Sequence, residues 1–388
     1  MTEAGQIPLA LYVHLPWCVR KCPYCDFASH ALPATGLPEQ PYLDALLDDL
    51  EYAAAAVPGR EVVSVFFGGG TPSLFSARAI GSVLGRARAL LPFAKDVEIT
   101  LEANPGTVEH GRFADYAAAG VNRISLGAQT FADERLEVLG RIHSAGDIGR
   151  AVREVRGAGI DNFNLDLMYA LPGQDVAGAM ADLERALELE PTHLSHYQLT
   201  LEPQTPFAKR PPQGLPDDET AWSMQEACQA RLAAAGFEQY EVSGYARPGH
   251  RCRHNLVYWQ FGDYLGIGAG AHGKVTTQGD RHVVTRTVRV RHPAAYLAAA
   301  DRASRVAETR RVPEAELPFE FALNALRLPE GFAVADFERR TGLPGTALEQ
   351  PLQLAVKRGL LEGDARRWRP TLLGRRFLND LQALFLPA

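Results

Sequence analysis

Strand-like runs and helical segments alternate through the first half of the chain, and this alternation limits the folds available to it. Runs rich in Val, Ile, Leu, Phe and Tyr occur at residues 9–15, 62–68, 97–103, 123–129, 162–171 and 193–201. Stretches with apolar residues at helical spacing separate most of them, at 42–56, 80–91, 148–159 and 180–190. Repeated strand–helix units are typical of a parallel sheet covered by helices. The pattern therefore predicts an α/β fold, and it fits both an open or partial barrel and a doubly wound sheet.

The alternation ends near residue 202, and the remaining sequence has a different character. A connection rich in Pro, Gln and Gly occupies residues 202–216, and a predicted helix (217–236) and a turn-rich region follow it. From about residue 313, three helical stretches precede a turn flanked by strand-like pieces at 362–378. We therefore predict three regions: an α/β core at 1–202, a connecting region at 203–312, and a small, mostly helical domain of winged-helix type at 313–388.

The net charge and the apolar content restrict the partners of the chain. A formal charge of −6 over 388 residues lacks the basic excess that is usual for nucleic-acid binders. The arginines of the last region are best explained as a solvated edge, with a nucleic acid or a membrane surface as the alternatives; they are Arg366, Arg367, Arg369, Arg375 and Arg376. No apolar run is long enough to span a bilayer, and the first residues lack a basic leader. We expect a cytoplasmic protein that binds no nucleic acid.

Three of the five cysteines, Cys18, Cys22 and Cys25, lie close together just after the first predicted strand. The C-x3-C-x2-C spacing lets one loop direct three thiolates at one centre. A four-iron cluster held by three thiolates keeps one iron open for another ligand. Structural zinc usually takes paired cysteines from two places in the chain, and a second pair is absent here. The spacing favours an iron–sulfur cluster, with zinc completed by His14 or His30 as the alternative.

Glycine and polar residues follow the ends of successive predicted strands. Three consecutive glycines (68–70) come after the second strand, and Glu102 lies in an apolar context in the third. Gln129 ends the fourth strand, Arg141 follows it, and Asp166 interrupts the fifth. Because the carboxyl ends of parallel strands meet at one edge of a sheet, these groups are expected to converge on a polar ligand.

The three cysteines and their position after the first strand resemble the signature of the radical S-adenosylmethionine (SAM) superfamily. The chain as a whole resembles one branch of it, the oxygen-independent coproporphyrinogen III oxidase group (HemN-like proteins). The resemblance implies a partial (β/α)6 barrel, a [4Fe–4S] cluster on Cys18, Cys22 and Cys25, and SAM at the open iron, where an electron from the cluster can cleave it to a radical. It also implies that SAM contacts Tyr12, Tyr24, Gly69, Gly70, Thr71, Glu102, Gln129, Arg141 and Asp166.

Two features resemble the HemW branch of this group, whose members are regarded as heme chaperones. The oxidases carry a fourth cysteine two positions after the third, where this chain has Phe27. The sequence HNLVYW at 254–259 matches the HNxxYW heme-binding motif of HemW. The resemblance implies heme binding by His254, Asn255, Tyr258 and Trp259. Taken alone, a histidine beside two aromatic residues is more often simply buried. Cys252 and His272 are further candidates for an iron ligand.

The resemblance implies a heme chaperone rather than an enzyme. Such a protein would pass heme to acceptor hemoproteins, including membrane-bound respiratory enzymes, and would dock at the membrane surface to do so. SAM-dependent oxidation of coproporphyrinogen III is the alternative, and a winged-helix nucleic-acid binder ranks far behind. Association into a homodimer is left open by the sequence.

Overall fold

A single large sheet organises most of the chain. The computed structural model describes residues 7–107, 112–279 and 282–387. Residues 1–6, on which part of the leader assessment depends, lie outside this range. The strands of the large sheet are β1 (Leu9–Leu15), β2 (Val62–Gly69), β3 (Phe93–Ala103), β4 (Arg123–Gln129), β5 (Phe163–Tyr169), β6 (His193–Gln198), β7 (Glu238–Gln239), β8 (Gly244–Ala246), β9 (Asp263–Ile267), β10 (His272–Thr277), β11 (Val283–Arg289) and β12 (Val306–Arg311).

The order of these strands identifies a parallel core extended at both sides. They lie in the order β12-β11-β10-β9-β1-β2-β3-β4-β5-β6-β8-β7. Strands β1 to β6 pair in parallel, and β9 adds a further parallel strand beside β1. The outer strands pair antiparallel. The prediction of six consecutive strand–helix units is confirmed, and the sheet stays open between β12 and β7.

Helices cover the sheet and form the C-terminal region. They are α1 (Glu39–Ala54), α2 (Ala77–Leu90), α3 (Arg112–Ala118), α4 (Asp133–Val138), α5 (Ala145–Gly157), α6 (Val176–Glu188), α7 (Pro206–Lys209), α8 (Asp218–Ala234), α9 (Arg253–Trp259), α10 (Pro293–Leu297), α11 (Leu317–Ala325), α12 (Val334–Thr341), α13 (Glu349–Lys357), α14 (Leu372–Arg376) and α15 (Leu378–Ala383). Short 3-10 turns occupy Pro72–Leu74, Pro105–Thr107, Ala303–Arg305, Glu314–Glu316 and Gly345–Leu348.

Helix α5 illustrates why the segments between strands become helices. Its buried side chains recur at intervals of three and four residues, at Ile148, Ala151, Val152 and Val155. Each large aliphatic side chain buried in this way contributes roughly 1.5–3 kcal/mol. At the helix start, the Ser144 amide donates to the Asp147 carboxylate at 2.7 Å, which satisfies a main-chain donor that the helix itself leaves unpaired. The helix therefore packs one face on the sheet and exposes the other.

The C-terminal region contains the predicted three helices and a small sheet. Strands β13 (Phe332–Ala333), β14 (Leu361–Gly363) and β15 (Arg367–Pro370) form it, in the order β13-β15-β14. The sequence predicted that the second strand-like piece would continue to residue 378, and this prediction is wrong beyond Pro370. Pro370 ends β15, and the Thr371 hydroxyl accepts the Gly374 amide at 3.0 Å, which starts α14 instead.

The region boundaries at 202 and 312 remain predictions. The apolar core of helices α11 to α13 also includes Phe261 and Val284 from the connecting region. The last helices therefore pack continuously against the segment before them. No helix in the described ranges is long and apolar enough to cross a membrane.

Candidate cofactor site

The loop after β1 brings the three cysteines to one cavity. A two-residue ladder pairs Trp17–Cys18 with His30–Ala31 and closes the loop on itself. Cys18, Cys22 and Cys25 are half-buried free thiols, and all three line the same cavity. Burial raises the pKa of the Cys18 and Cys25 thiols, so the metal-free loop holds them protonated. Three thiols facing one space fit a cluster that needs three protein ligands.

The alternative of a zinc ion completed by histidine finds little support in this loop. Both ring nitrogens of His14 are engaged, one by the Tyr12 hydroxyl at 3.0 Å and the other by the Ala28 carbonyl at 3.0 Å. The ring of His30 packs edge-on against His292, with 5.1 Å between the ring centroids, and its Nε2 has no hydrogen-bond partner among the described residues, so hydrogen bonding excludes His14 but not His30. Within the described residues, no three His, Cys, Asp or Glu side chains converge closely enough to hold a single metal ion.

The glycines after β2 form a main-chain wall beside the cysteines. Gly69 and Gly70 line the cysteine cavity together with Thr71. A Cβ atom on Gly70 would lie 2.5 Å from the Trp17 carbonyl oxygen, and Gly69 has a φ of +121°, a conformation that glycine tolerates best. Their small size therefore has a physical cause, which is the close approach of two main chains beside the cavity.

Glu102 and Asp166 place two carboxyl groups in the same cavity. Burial, and secondarily the charge of Asp166, raises the pKa of Glu102 to about 8, although the Gly69 amide donates to its carboxylate at 3.2 Å. Burial also raises the pKa of Asp166, which accepts hydrogen bonds from Asn164 at 2.7 Å and Ser125 at 3.3 Å. Two half-buried carboxyls that form no ion pair with any cation of the described residues fit a site for a positively charged ligand.

Arg141 and Gln129 complete the wall opposite the glycines. Arg141 donates to the Gly127 carbonyl at 2.7 Å and lies 3.8 Å from the sulfur of Cys22. Gln129 accepts a hydrogen bond from the Tyr197 hydroxyl at 2.7 Å. The φ of Gln129 is +70°, a strained value for a residue with a side chain, and such strain is concentrated at functional sites.

Tyr24 also lines the cysteine cavity, whereas Tyr12 does not. Tyr12 instead lines a second cavity of about 570 Å³. The structure places all the other residues proposed to contact SAM at the cysteine cavity. Tyr24 comes from the cysteine loop and Arg141 from the connection between α4 and α5. Tyr197 was missed, although it is the last residue but one of β6 and the strand-end argument that found Gln129 applies to it as well.

The second cavity has aromatic walls and lies beside the first. Phe27, Gly69 and Glu102 line both cavities, so the two share a wall. The side chain of Phe27 is 60% exposed. Tyr258 and Tyr264 also line the second cavity, with their rings perpendicular and their centroids 4.6 Å apart. Flat apolar rings around a space of this size suit a planar aromatic ligand.

The HNLVYW motif forms helix α9, and its residues point in different directions. Tyr258 faces the second cavity. His254 is buried under the barrel, where its ring nitrogens contact the Ser64 hydroxyl and the Tyr258 hydroxyl, each at 3.0 Å. Asn255 donates to the Tyr240 hydroxyl at 3.3 Å. In this arrangement, neither ring nitrogen of His254 is open to a ligand.

Trp259 of the motif and Cys252, two residues before the motif begins, also lie away from the second cavity. The guanidinium of Arg327 stacks on the Trp259 ring, 4.1 Å from its centroid. The thiol of Cys252 is buried and lies 3.5 Å from the carboxylate of Glu98. Sequence reasoning weighed His272 as a ligand and missed Tyr264 and Arg291, and all three line the cavity. Tyr264 lies on β9, His272 begins β10 and Arg291 follows β11, so only the folded sheet brings them to this place.

Comparison with known proteins agrees with this architecture. The family model of the radical SAM superfamily matches residues 12–186, and that of the HemN C-terminal domain matches residues 312–377. The heme chaperone HemW of Escherichia coli is 50% identical over 380 residues, which is 98% of each chain. The chain belongs to the HemW family. The heme chaperone HemW of Haemophilus influenzae is 46% identical, again over 98% of both chains.

The solved structure of coproporphyrinogen III oxidase (HemN) from Escherichia coli, a radical SAM enzyme, supports the fold. It superposes with a TM-score of 0.82 at 23% identity and covers 99% of this chain and 91% of that one. The predicted radical SAM fold with a HemN-type C-terminal domain is thereby confirmed. Membership of the radical SAM superfamily implies a [4Fe–4S] cluster and SAM as the cofactors of this HemW-family protein. The thiol and carboxyl groups of the first cavity fit both.

Proposed function

We propose that the protein is a heme chaperone that binds heme and transfers it to acceptor hemoproteins. The observation that carries the proposal is the aromatic second cavity, in which Tyr258 of the HNLVYW motif lies next to the cysteine cavity. Two HemW-family relatives with full-length similarity are named heme chaperones. A planar porphyrin would rest against Tyr258, Tyr264 and Phe27, with its edge toward solvent.

The first cavity is proposed as the cofactor site. Cys18, Cys22 and Cys25 would hold the [4Fe–4S] cluster, which supplies an open iron and an electron. SAM would lie against Gly69, Gly70, Thr71, Glu102, Gln129, Arg141 and Asp166, with Tyr24 covering the cluster side and Tyr12 on the heme side. Glu102 and Asp166 would neutralise the cationic groups of SAM, while the main chain of the glycines would approach it closely.

Membrane-bound respiratory hemoproteins are proposed as acceptors, and a homodimer as a functional state. Both follow from the HemW resemblance. Delivery to such acceptors would take place at the membrane surface, without a spanning segment. The arginines of the C-terminal region, which include Arg375 and Arg376, are exposed and would suit an anionic surface.

A heme titration and an oxidase assay on one anaerobically reconstituted preparation test the proposal. The protein is expected to bind about one heme per chain and to leave coproporphyrinogen III unchanged in the presence of SAM and a reductant. Turnover to protoporphyrinogen would instead assign the protein to the oxidases. The Cys22→Ser variant serves as the matched control, because it should lose the cluster absorption and acid-labile sulfide while retaining heme.

A further inference from the structure

The second cavity contains one histidine whose ring is available to a metal. His272 begins β10 and lines the cavity, and its side chain is exposed. No hydrogen bond or ion pair engages its ring among the described residues. His14, the other histidine in the wall, has both ring nitrogens bonded. Desolvation by the surrounding walls lowers the pKa of His272, so its imidazole is neutral at pH 7. A neutral imidazole is the form that ligates iron.

The other ligand candidates are inaccessible from this cavity. His254 is 1% exposed, and its two ring nitrogens are bonded to Ser64 and Tyr258. Cys252 is also 1% exposed and packs against Glu98. Ligation by either residue would require helix α9 to leave the barrel and would leave buried partners unpaired, at about 1–3 kcal/mol for each one.

Arg291 adds a group for the acidic edge of the porphyrin. It follows the strand that pairs with β10, lines the same cavity, and is exposed. Its guanidinium carries no ion pair among the described residues, whereas many arginines of this chain are paired with Asp or Glu. Arginine binds carboxylates in a bidentate manner, and heme carries two propionates. An imidazole, aromatic rings and a guanidinium therefore line one space, together with the carboxyl groups of Asp26 and Glu102. The first three suit the iron, the macrocycle and a propionate of heme.

We propose that His272 supplies the axial ligand to the heme iron, and that Arg291 binds a propionate of the same heme. The proposal rests on the proposed function, since it presupposes that heme enters the second cavity. In this arrangement, His254 is a positioning residue. Its hydrogen bond to the Tyr258 hydroxyl orients the ring that faces the porphyrin.

Spectroscopy of the heme-loaded full-length protein tests the assignment. Ferric heme is added to the wild type and to the His272→Ala, His254→Ala and Arg291→Gln variants, with His250→Ala as the control for a half-buried histidine outside the cavity. His272→Ala is expected to shift the Soret band, to change the ferric EPR spectrum, and to raise the heme Kd about tenfold. Added imidazole should restore the wild-type spectrum. Arg291→Gln should raise the Kd about fivefold and leave the spectrum unchanged.

His254→Ala should keep the wild-type iron spectrum, with circular dichroism to verify that the variant is folded. An unchanged Soret band and EPR spectrum in His272→Ala would overturn the assignment. A lost imidazole signature in folded His254→Ala, with His272→Ala normal, would overturn it as well and would move the ligand to helix α9. If the wild type itself bound no heme, the proposed function would be wrong. If the wild type bound heme independently of His272, only the ligand assignment would be wrong.

Discussion

The raised pKa of Glu102 predicts a pH dependence that can be measured without any cofactor. The pKa is about 8 in the folded chain, against an ordinary value of 4.5. A carboxyl whose pKa is raised on folding stabilises the protein fully below its unfolded pKa, and this contribution is lost as the pH rises through the folded value. The total shift corresponds to about 5 kcal/mol, of which about 2 kcal/mol is lost between pH 6 and pH 8.

The assay is urea unfolding of the cofactor-free protein at pH 6 and pH 8, compared with Glu102→Gln. Glutamine has nearly the same shape but does not titrate, so the variant lacks this pH dependence. Groups that do not interact with Glu102 contribute equally to both proteins, and Asp166 is the neighbour whose titration the substitution also changes. The free energy of unfolding of the wild type is expected to fall by about 2 kcal/mol more than that of the variant. A difference below ~0.5 kcal/mol would refute the raised pKa.

The same carboxyl should release a proton when SAM binds. At pH 7, a group with a pKa of about 8 is ~90% protonated, and a cationic ligand favours its ionised form. Calorimetry in two buffers of different ionisation enthalpy should therefore find about 0.9 more protons released by the wild type than by Glu102→Gln. The α-amino group of SAM also titrates near this pH, and the subtraction removes its contribution. Equal proton release from both proteins would show that SAM does not ionise Glu102.

Two further pairs of substitutions test the wall of the cofactor site and a buried ion pair outside it. Gly70→Ala places a methyl group 2.5 Å from a main-chain oxygen and should lower SAM affinity at least a hundredfold, as measured by isothermal titration calorimetry. Gly85→Ala, in open space on α2, should leave SAM binding unchanged and stabilise the fold by about 0.5–1 kcal/mol, as measured by thermal unfolding. Equal SAM affinities in the two variants would contradict the steric argument. Lys274→Met removes one of the two cations that contact the buried carboxylate of Asp263, at 2.8 Å, while Arg60 stays at 2.7 Å on the other oxygen. The loss should cost about 1–3 kcal/mol of unfolding free energy, against less than ~0.5 kcal/mol for the exposed Arg185→Ala. Similar losses in both would show that burial does not strengthen the pair.

The strands and the cysteine loop could be predicted because they depend on local pattern. β1 and β4 have the predicted bounds, since an apolar run between turn residues specifies a buried strand without reference to the rest of the chain. The strand-end argument placed Glu102 and Gln129 at one cavity for a general reason, which is that parallel strands end at the same edge.

The heme side could not be predicted to the same degree, because helix periodicity does not say which face meets which neighbour. His254 and Tyr258 lie one helical turn apart, yet His254 packs beneath the barrel against Ser64 while Tyr258 reaches the cavity. His272 and Arg291 join it only through the pairing of β10 with β11. Such placements depend on contacts between segments far apart in the sequence. The division into regions at 202 and 312 stays a prediction.

The wall shared by the two cavities links their evolution. Because Phe27, Gly69 and Glu102 border both, a substitution that changes the surface on one side also changes it on the other. Selection for either occupant therefore restrains the same three positions. If the second cavity binds porphyrin as proposed, a descendant that no longer assembled the inorganic cluster would still be under pressure to keep these three positions, so their survival in a sequence would be no proof of a working redox centre.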